Sequence, residues 1–317
     1  MNANVMVLLV GEQPAPNVLP LRHYNPAHVA LVHTDKTCER ARRLAGVIGT
    51  RVAHPFCVTE PYPLDKIQAS LQAYLDERQW TGDKLIFNLT GGTKTMALAA
   101  YEVARQMDAQ AFYYQTEDNQ NLIHPYRFER GNLLCEPLVP IEATLTLDDY
   151  LRLYVGECTE GKLKEPFERL VEEALRAHLP GYEVKTSVRL KELAGHVEVD
   201  LLVRYGNQVA VLEVKRQGKK GIDQLNGVTD QRTLGTYTRK ILVSIAPLDE
   251  NNLELARAYR ITPVVLASGA GSQLADGDVR QLVDAVRHSL EPKSSQARNP
   301  GTTRDASRAK SEIRDPK

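Results

Sequence analysis

The sequence predicts a mixed α/β protein of two domains, and three observations support that fold class. In the first half, short Val- and Leu-rich segments alternate with helical segments, as in parallel βαβ units of a doubly wound sheet. In the second half, two apolar segments with period-2 alternation flank Gly206-Asn207, a pair typical of a hairpin turn. The length of 317 residues is also more than one hydrophobic core usually accommodates.

Composition excludes several classes of protein. Lys and Arg together number 40, as do Asp and Glu, so no global basic field attracts nucleic acid. The four cysteines are scattered and form no CxxC pair, so we expect a reducing, cytoplasmic location and no structural zinc. No apolar run approaches about 18 residues, and the N-terminus lacks a basic segment and a cleavage site. We therefore expect neither a membrane span nor a signal peptide.

The first half is predicted to form a parallel sheet covered by helices. A loop with three prolines is expected between the first two strands. The carboxyl ends of parallel strands meet at one edge of the sheet, where ligands bind in such folds. The predicted strands are 4–10, 28–33, about 52–58, 84–89 and 109–116, and the predicted helices are about 38–48, 64–77 and 94–107.

Three polar segments lie at that predicted edge, and the segment 90–94, TGGTK, is the most informative. Its two glycines let the backbone approach a ligand, and the free amides of the following helix favour an anion. It lacks the GxxxxGK[ST] spacing of a Walker A loop. The alternative is a tight strand–helix turn without a ligand. The candidate ligand-binding residues are Gly11, Glu12, Gln13, Thr34, Asp35, Thr90, Gly91, Gly92, Thr93 and Lys94.

The predicted hairpin carries charges within apolar strands. Alternation places Glu198 and Asp200 on one face of the first strand, and Glu213 and Lys215 on one face of the second. Carboxylates that converge in this way repel each other unless a cation lies among them. Two or three carboxylates beside a lysine suit a hard divalent cation and a positioned water. The alternative is an exposed strand edge with an ordinary salt bridge.

The pattern acid-x-Asp followed by Glu-x-Lys resembles the PD-(D/E)XK nuclease superfamily. The resemblance implies that Asp200 and Glu213 hold Mg²⁺ or Mn²⁺, with the backbone carbonyl of Val214 as a further ligand. It also implies that Lys215 orients or activates the attacking water and stabilises charge on the phosphate. The predicted hairpin thus carries a candidate metal site.

Two further residues match positions that often carry functional groups in that superfamily. Glu168 lies on a predicted first helix of the second half, where a solvated helix face is the alternative. Gln224 is predicted to begin the helix after the hairpin. Glu198, on the same face as Asp200, is interpreted as a supporting acid. Arg216, Lys219 and Lys220 form a local basic track for phosphates or, alternatively, a soluble loop. The candidate catalytic residues are Glu168, Glu198, Asp200, Glu213, Lys215 and Gln224.

The segment NLTGGTKTMALAA resembles the signature loop of CARF domains, the Rossmann-like sensors of CRISPR systems that bind cyclic oligoadenylate. A CARF domain followed by a PD-(D/E)XK domain resembles the type III CRISPR nucleases that cyclic tetra-adenylate activates. That resemblance implies a homodimer with one cyclic ligand across its two-fold axis. It predicts a CARF domain at 1–145, a linker helix at 146–160, a restriction-endonuclease-like nuclease domain at 161–290 and, from composition, a disordered tail at 291–317.

We therefore expect a cyclic oligoadenylate-activated, metal-dependent nuclease that cuts DNA, RNA or both. One alternative is a restriction- or repair-type nuclease that needs no second messenger. Another is a CARF-based binding or regulatory protein with an inactive second domain, against which the intact Asp200, Glu213 and Lys215 argue. The residues leave open the choice between Mg²⁺ and Mn²⁺, the strandedness of the substrate, and whether the sensor degrades its own ligand. The ring size of the activator rests on the resemblance.

Overall fold

The computed structural model describes residues 4–142, 144–190, 197–217, 219–230, 233–235 and 238–292, and these form two sheets with flanking helices. The predicted α/β fold class is confirmed. The strands are β1 (Val5–Leu9), β2 (His28–His33), β3 (Cys57–Val58), β4 (Leu85–Asn88), β5 (Gln110–Glu117), β6 (Gln120–Glu129), β7 (Asn132–Cys135), β8 (Val139–Pro140), β9 (Cys158–Thr159), β10 (Glu183–Leu190), β11 (Val197–Tyr205), β12 (Gln208–Lys215), β13 (Arg239–Ser244) and β14 (Ile261–Val265). The helices are α1 (Ala15–Tyr24), α2 (Cys38–Ile48), α3 (Leu64–Glu77), α4 (Lys94–Gln106), α5 (Leu147–Val155), α6 (Pro166–His178), α7 (Lys219–Val228), α8 (Glu250–Ala258) and α9 (Asp276–Leu290).

The first sheet has the strand order β3-β2-β1-β4-β5-β6-β7, and β8 pairs with β6. Strands β1 to β5 are parallel, as predicted. Strands β6, β7 and β8 add an antiparallel extension that the sequence pattern did not predict. Every residue of β1 is buried, because helices cover both faces of the sheet at its centre. The carboxyl ends of β1 to β4 therefore lie along one edge.

The second sheet has the strand order β14-β13-β12-β11-β10-β9. The predicted hairpin β11–β12 is confirmed, and its turn contains Gly206 at a φ of +56°. Strand β10 lies beside β11 and was not predicted, because Lys, Thr, Ser and Arg interrupt its apolar residues. Helix α7 begins at Lys219, so Gln224 lies within this helix and does not open it.

Helix α1 replaces the loop predicted for the proline-rich segment. Pro16 lies in the first turn, where its missing N–H has no intrahelical acceptor to bond. Pro20 lies inside the helix and cannot donate to the carbonyl of Pro16, but the Asn88 side-chain amide donates to that carbonyl at 2.9 Å. Burial of Val18 and Leu21 then outweighs the local preference of the prolines for a loop.

Three apolar clusters hold the layers together in the described part of the chain. One lies on the α3–α4 face of the first sheet, and another on the α6–α9 face of the second. The third joins the remaining faces of both sheets through α1, α2, α5 and α7. Helix α5 begins with a capping box at Thr146, as its sequence predicts, and buries Leu147, Tyr150 and Leu151. The predicted linker helix is thus part of a continuous core.

Two expectations concern features outside the sheets. No helix among the described residues has the length and apolar character needed to cross a bilayer. The predicted disordered tail at 291–317 lies outside the described residues, apart from its first two positions.

Candidate functional site

In the second sheet, the backbone pairing of neighbouring strands is interrupted at Asp200, and we call this interruption the opening. Regular pairing between β11 and β12 stops at Leu201 and Leu212, and pairing between β10 and β11 skips Asp200. The Asp200 carboxylate instead accepts hydrogen bonds from the backbone N–H of Val214 at 2.8 Å and from Nζ of Lys215 at 2.7 Å. This side chain therefore takes the place of a backbone carbonyl as a partner of β12.

Glu213 is a wholly buried carboxylate beside that opening. Its exposed fraction is 0%, and neither of its oxygens accepts a hydrogen bond from any described residue. Nζ of Lys215 lies 3.0 Å from Oε2, which is close enough for attraction but is not aligned as a hydrogen bond. Burial first and Asp200 second raise the pKa of Glu213 to about 9. Two carboxylates thus share one lysine, and a cation bound between them would satisfy the two orphaned oxygens.

Lys215 and Glu168 complete the electrostatics of this site. Burial lowers the pKa of Lys215, but Glu213 and Asp200 outweigh it, so the net shift of that pKa is upward and the amine stays protonated. Glu168 lies in the first turn of α6, where its carboxylate accepts the backbone N–H of Glu165 at 3.2 Å. Burial first and Asp200 second raise the pKa of Glu168, which shows that it lies within the field of the pair.

Other candidates lie near the opening without joining the pair. The Glu198 carboxylate accepts hydrogen bonds from Oγ of Ser187 at 2.5 Å and from Nε of Arg189 at 3.1 Å, and the Ser187 bond is the main cause of its lowered pKa. Nε2 of Gln224 donates to the backbone carbonyl of Glu198 at 2.9 Å. The structure therefore does not bring the Glu198 carboxylate to Asp200, and Gln224 supports the backbone of β11. Within the described ranges, no three His, Cys, Asp or Glu side chains form a metal-binding group by themselves.

Ser187 is a residue of this site that the sequence did not indicate. It is buried in β10 opposite Asp200 and has a φ of +47°, which costs a residue other than glycine about 1–2 kcal/mol. Its carbonyl accepts the backbone N–H of Gly161 at 3.1 Å. This strained turn is part of the opening of the sheet, and no residue-type preference predicts it for a serine.

At the carboxyl edge of the first sheet, two glycine segments touch each other. A Cβ on Gly11 would lie 2.9 Å from the backbone N of Gly92, and a Cβ on Gly91 would lie 1.9 Å from the carbonyl oxygen of Leu9. Gly92 also has a φ of +71°. Only glycines permit this contact between the ends of β1 and β4.

A buried pair of asparagines, also missed in the sequence, fixes the same edge. Nδ2 of Asn88 donates to Oδ1 of Asn17 at 3.1 Å, and Nδ2 of Asn17 donates to the carbonyl of Leu9 at 3.1 Å. Oδ1 of Asn88 accepts the backbone N–H of Thr90 at 3.0 Å. The start of the TGGTK segment is therefore held by side chains from β4 and α1.

The threonine hydroxyls of this segment also hold the loop. Oγ1 of Thr93 accepts the backbone N–H of Met96 at 3.1 Å, which caps α4, and donates to the carbonyl of Pro61 at 2.8 Å. Oγ1 of Thr90 accepts the backbone N–H of Tyr114 at 2.7 Å. The hydroxyl of Thr34 is likewise buried, against Thr37. The candidates that are exposed at this edge are Glu12, Asp35 and Lys94.

Gln13 connects the carboxyl edge of the first sheet to the second half of the chain. The hydroxyl of Tyr154 on α5 donates to Oε1 of Gln13 at 3.0 Å. One turn earlier, the hydroxyl of Tyr150 donates to the carbonyl of Leu234 at 2.5 Å. A Cβ on Gly235 would lie 2.6 Å from both Oε1 of Gln13 and a ring carbon of Tyr154. Helix α5 therefore contacts both the loop after β1 and the segment 233–235.

The first sheet is of the CARF type. Residues 5–150 match the family model described as the Card1 CARF domain, which covers the first sheet and helices α1 to α4. Among curated protein sequences, none matches the chain.

Three solved structures share most of the fold at low sequence identity. Can2 from Sulfobacillus thermosulfidooxidans, solved in complex with cyclic tetra-adenylate, has a TM-score of 0.65 and 18% identity, over 89% of this chain and 97% of Can2. Protein VC1899 from Vibrio cholerae has a TM-score of 0.70 and 14% identity, over 90% and 98%. A type III CRISPR defence DNA nuclease activated by cyclic oligoadenylate has a TM-score of 0.57 and 18% identity, over 90% of this chain and 52% of that chain. At these identities the similarity shows the fold.

Proposed function

We propose that the chain is a metal-dependent nuclease of type III CRISPR defence that a cyclic oligoadenylate, cyclic tetra-adenylate in particular, activates. The observation that carries this proposal is the wholly buried Glu213 beside Asp200, two carboxyl groups that share the single lysine Lys215. The CARF match supports the sensing function. The structural similarity to Can2 with bound cyclic tetra-adenylate, and to a DNA nuclease that cyclic oligoadenylate activates, supports both functions together.

The residues at the opening fit Mg²⁺ or Mn²⁺. Both cations prefer oxygen ligands, and Asp200 and Glu213 supply two carboxyl groups beside a single lysine, Lys215. A bound cation would favour the ionised form of Glu213, whose pKa burial and Asp200 raise. The backbone carbonyl of Val214 and water are the further ligands that we propose, since no third carboxylate of the described residues joins the pair. When bound, the cation neutralises charge on the phosphate and makes a water more acidic.

We assign to Lys215 the role of contacting the attacking water and the phosphate. Its Nζ lies 2.7 Å from Asp200 and 3.0 Å from Glu213, and it carries a proton. The ammonium can donate to the attacking water or to the phosphate oxygen on which charge develops. In the hydrolysis the water oxygen bonds to phosphorus while the bond from phosphorus to the ester oxygen breaks. The water gives up one proton and the leaving ester oxygen takes up one, so the protons balance. Glu168 is the supporting acid that we propose, because burial first and Asp200 second raise its pKa.

The proposed activator binds at the carboxyl edge of the first sheet. The amides at the start of α4 and the exposed Lys94 attract the phosphates of the ring. In the proposed homodimer, two such edges face one ligand across the two-fold axis. Ligand binding then changes the conformation of the first domain, and α5 transmits that change to the second half through its contacts with Gln13 and Leu234. A ligand shifts this equilibrium only by its difference in affinity for the two states.

The test combines binding and cleavage. Wild type and Asp200→Asn are titrated by calorimetry with cyclic tri-, tetra- and hexa-adenylate, and are then offered labelled DNA and RNA with Mn²⁺ or Mg²⁺. We expect cleavage by the wild type only with activator and metal, and ligand binding without cleavage by Asp200→Asn. Cleavage without any oligoadenylate would instead show a second-messenger-independent nuclease. Binding without any cleavage would show a regulatory protein.

A further inference from the structure

Two exposed aromatic rings flank the TGGTK segment. Among the Phe, Tyr and Trp side chains that the structure describes, only Tyr62 and Tyr113 are exposed, at 68% and 44%. An exposed aromatic ring offers a flat apolar face that a ligand can cover, because that face is otherwise in water. Tyr113 belongs to the first sheet and Tyr62 to the loop after β3, and each is one residue away from a hydrogen bond to the TGGTK segment.

Tyr62 lies in the loop after β3, at the same edge as the other candidate ligand-binding residues. The carbonyl of the preceding Pro61 accepts the hydroxyl of Thr93 at 2.8 Å, so this loop is fastened to the TGGTK segment. Pro61 and Pro63 flank the tyrosine and restrict its backbone. A ring presented on such a restricted backbone loses little conformational freedom when a ligand covers it.

Tyr113 lies on β5, on the other side of the TGGTK segment. The backbone N–H of its neighbour Tyr114 donates to Oγ1 of Thr90 at 2.7 Å. Tyr114 is buried in the core that contains α1 and α2, so alternation places Tyr113 on the opposite face, where α4 begins. The two tyrosines thus stand on either side of the amides and the lysine that attract phosphate.

We propose that Tyr62 and Tyr113 are the surfaces on which adenine bases of the cyclic oligoadenylate stack. This inference rests on the proposed function and adds base recognition to its phosphate site. Phosphate contacts hold a polyanion but carry no information about the base, whereas stacking on an aromatic face contacts the base itself. A symmetric homodimer would present four such rings, the same as the number of bases in cyclic tetra-adenylate.

The first test is calorimetry with cyclic tetra-adenylate on Tyr62→Ala, Tyr113→Ala and the two matching Phe variants. Leu134→Ala, an exposed apolar residue on β7, is the matched control. In the homodimer each Ala variant removes two stacking surfaces, so binding should weaken about 30-fold or more, and Phe should restore it, because stacking needs the ring and not the hydroxyl. The control should bind like the wild type.

A second measurement detects the stack directly. Trp80 is the single tryptophan of the chain and is packed near His28 and Tyr74, so a Trp80→Phe background is free of its signal. In that background, a Tyr62→Trp protein should lose fluorescence on addition of cyclic tetra-adenylate but not of inorganic phosphate. A Leu134→Trp protein should respond to neither.

Three results would overturn the inference, and they differ from one another. If the wild type binds cyclic tetra-adenylate and both Ala variants bind it equally well, the tyrosines do not touch the bases. If the Ala variants change the monomer–dimer equilibrium in sedimentation without ligand, and binding follows only that change, the rings belong to a protein interface. If the wild type binds no cyclic oligoadenylate at all, the proposed function itself fails.

Discussion

Replacing Glu213 by Gln is expected to stabilise the metal-free protein and to abolish its binding of Mn²⁺. The carboxylate is wholly buried, and its two oxygens have no hydrogen-bond donor among the described residues. Such an unsatisfied buried group costs about 1–3 kcal/mol or more when it is charged. Gln keeps the shape and removes the charge. If Glu213 were instead a structural partner of Lys215, its removal would destabilise the fold by about 3–5 kcal/mol.

The pKa of Glu213 gives the size and the pH dependence of this effect. Burial and Asp200 raise that pKa from 4.5 to about 9, so the folded protein binds this proton more tightly than the unfolded chain. The contribution to stability is therefore complete below pH 4.5 and is lost as the pH rises through 9. Between pH 4.5 and 7 the wild type loses about 3 kcal/mol of its free energy of unfolding through Glu213. We therefore expect Glu213→Gln to be more stable than the wild type by about this amount at pH 7.

Asp200→Asn is the matched control, because Asp200 has the hydrogen-bond donors that Glu213 lacks. Its carboxylate accepts from Val214 and Lys215, so its loss should destabilise the protein by about 1.5–3 kcal/mol. Urea unfolding in EDTA at pH 5, 7 and 8 measures both variants, and calorimetry measures their Mn²⁺ affinity. A Glu213→Gln protein that is less stable than wild type in EDTA at pH 7, or that binds Mn²⁺ normally, refutes the metal-site argument.

Two further variants separate the chemistry from the sensing. Lys215→Ala should keep its metal in calorimetry but cut roughly 10²- to 10⁴-fold more slowly, since the ammonium acts on the water or the developing charge. A collapse of metal affinity with recovery of rate at high Mn²⁺ would show a structural lysine. Lys94→Ala should raise the activator concentration at half-maximal cleavage roughly ten- to a hundredfold, with rescue at saturation, because one charge-assisted contact to phosphate is lost. Lys84→Ala, at the opposite end of β4, is its control, and an unchanged midpoint in Lys94→Ala would make the TGGTK segment a mere turn.

Local patterns in the sequence determined the fold class and the location of both candidate sites. Alternation of apolar segments with helical spacing predicted the parallel strands β1 to β5, since such strands need helical crossovers. The pair Gly206-Asn207 predicted the hairpin β11–β12, because that turn needs a positive φ. Gly91 and Gly92 predicted that the backbone approaches a ligand, which stays a prediction, whereas the contact of Gly92 with Gly11 was not predicted.

Contacts between residues far apart in the chain were decided only by the tertiary structure. The prolines of α1 favour a loop locally, because Pro20 cannot donate a hydrogen bond to the carbonyl of Pro16. Asn88, 72 residues from Pro16, donates to that carbonyl instead. Glu198 shares a face with Asp200 by alternation, yet Ser187 and Arg189 on the unpredicted strand β10 bind its carboxylate. Periodicity predicts which face of a sheet a side chain occupies. Its hydrogen-bond partners lie on the neighbouring strand, and no local pattern predicts which strand that is.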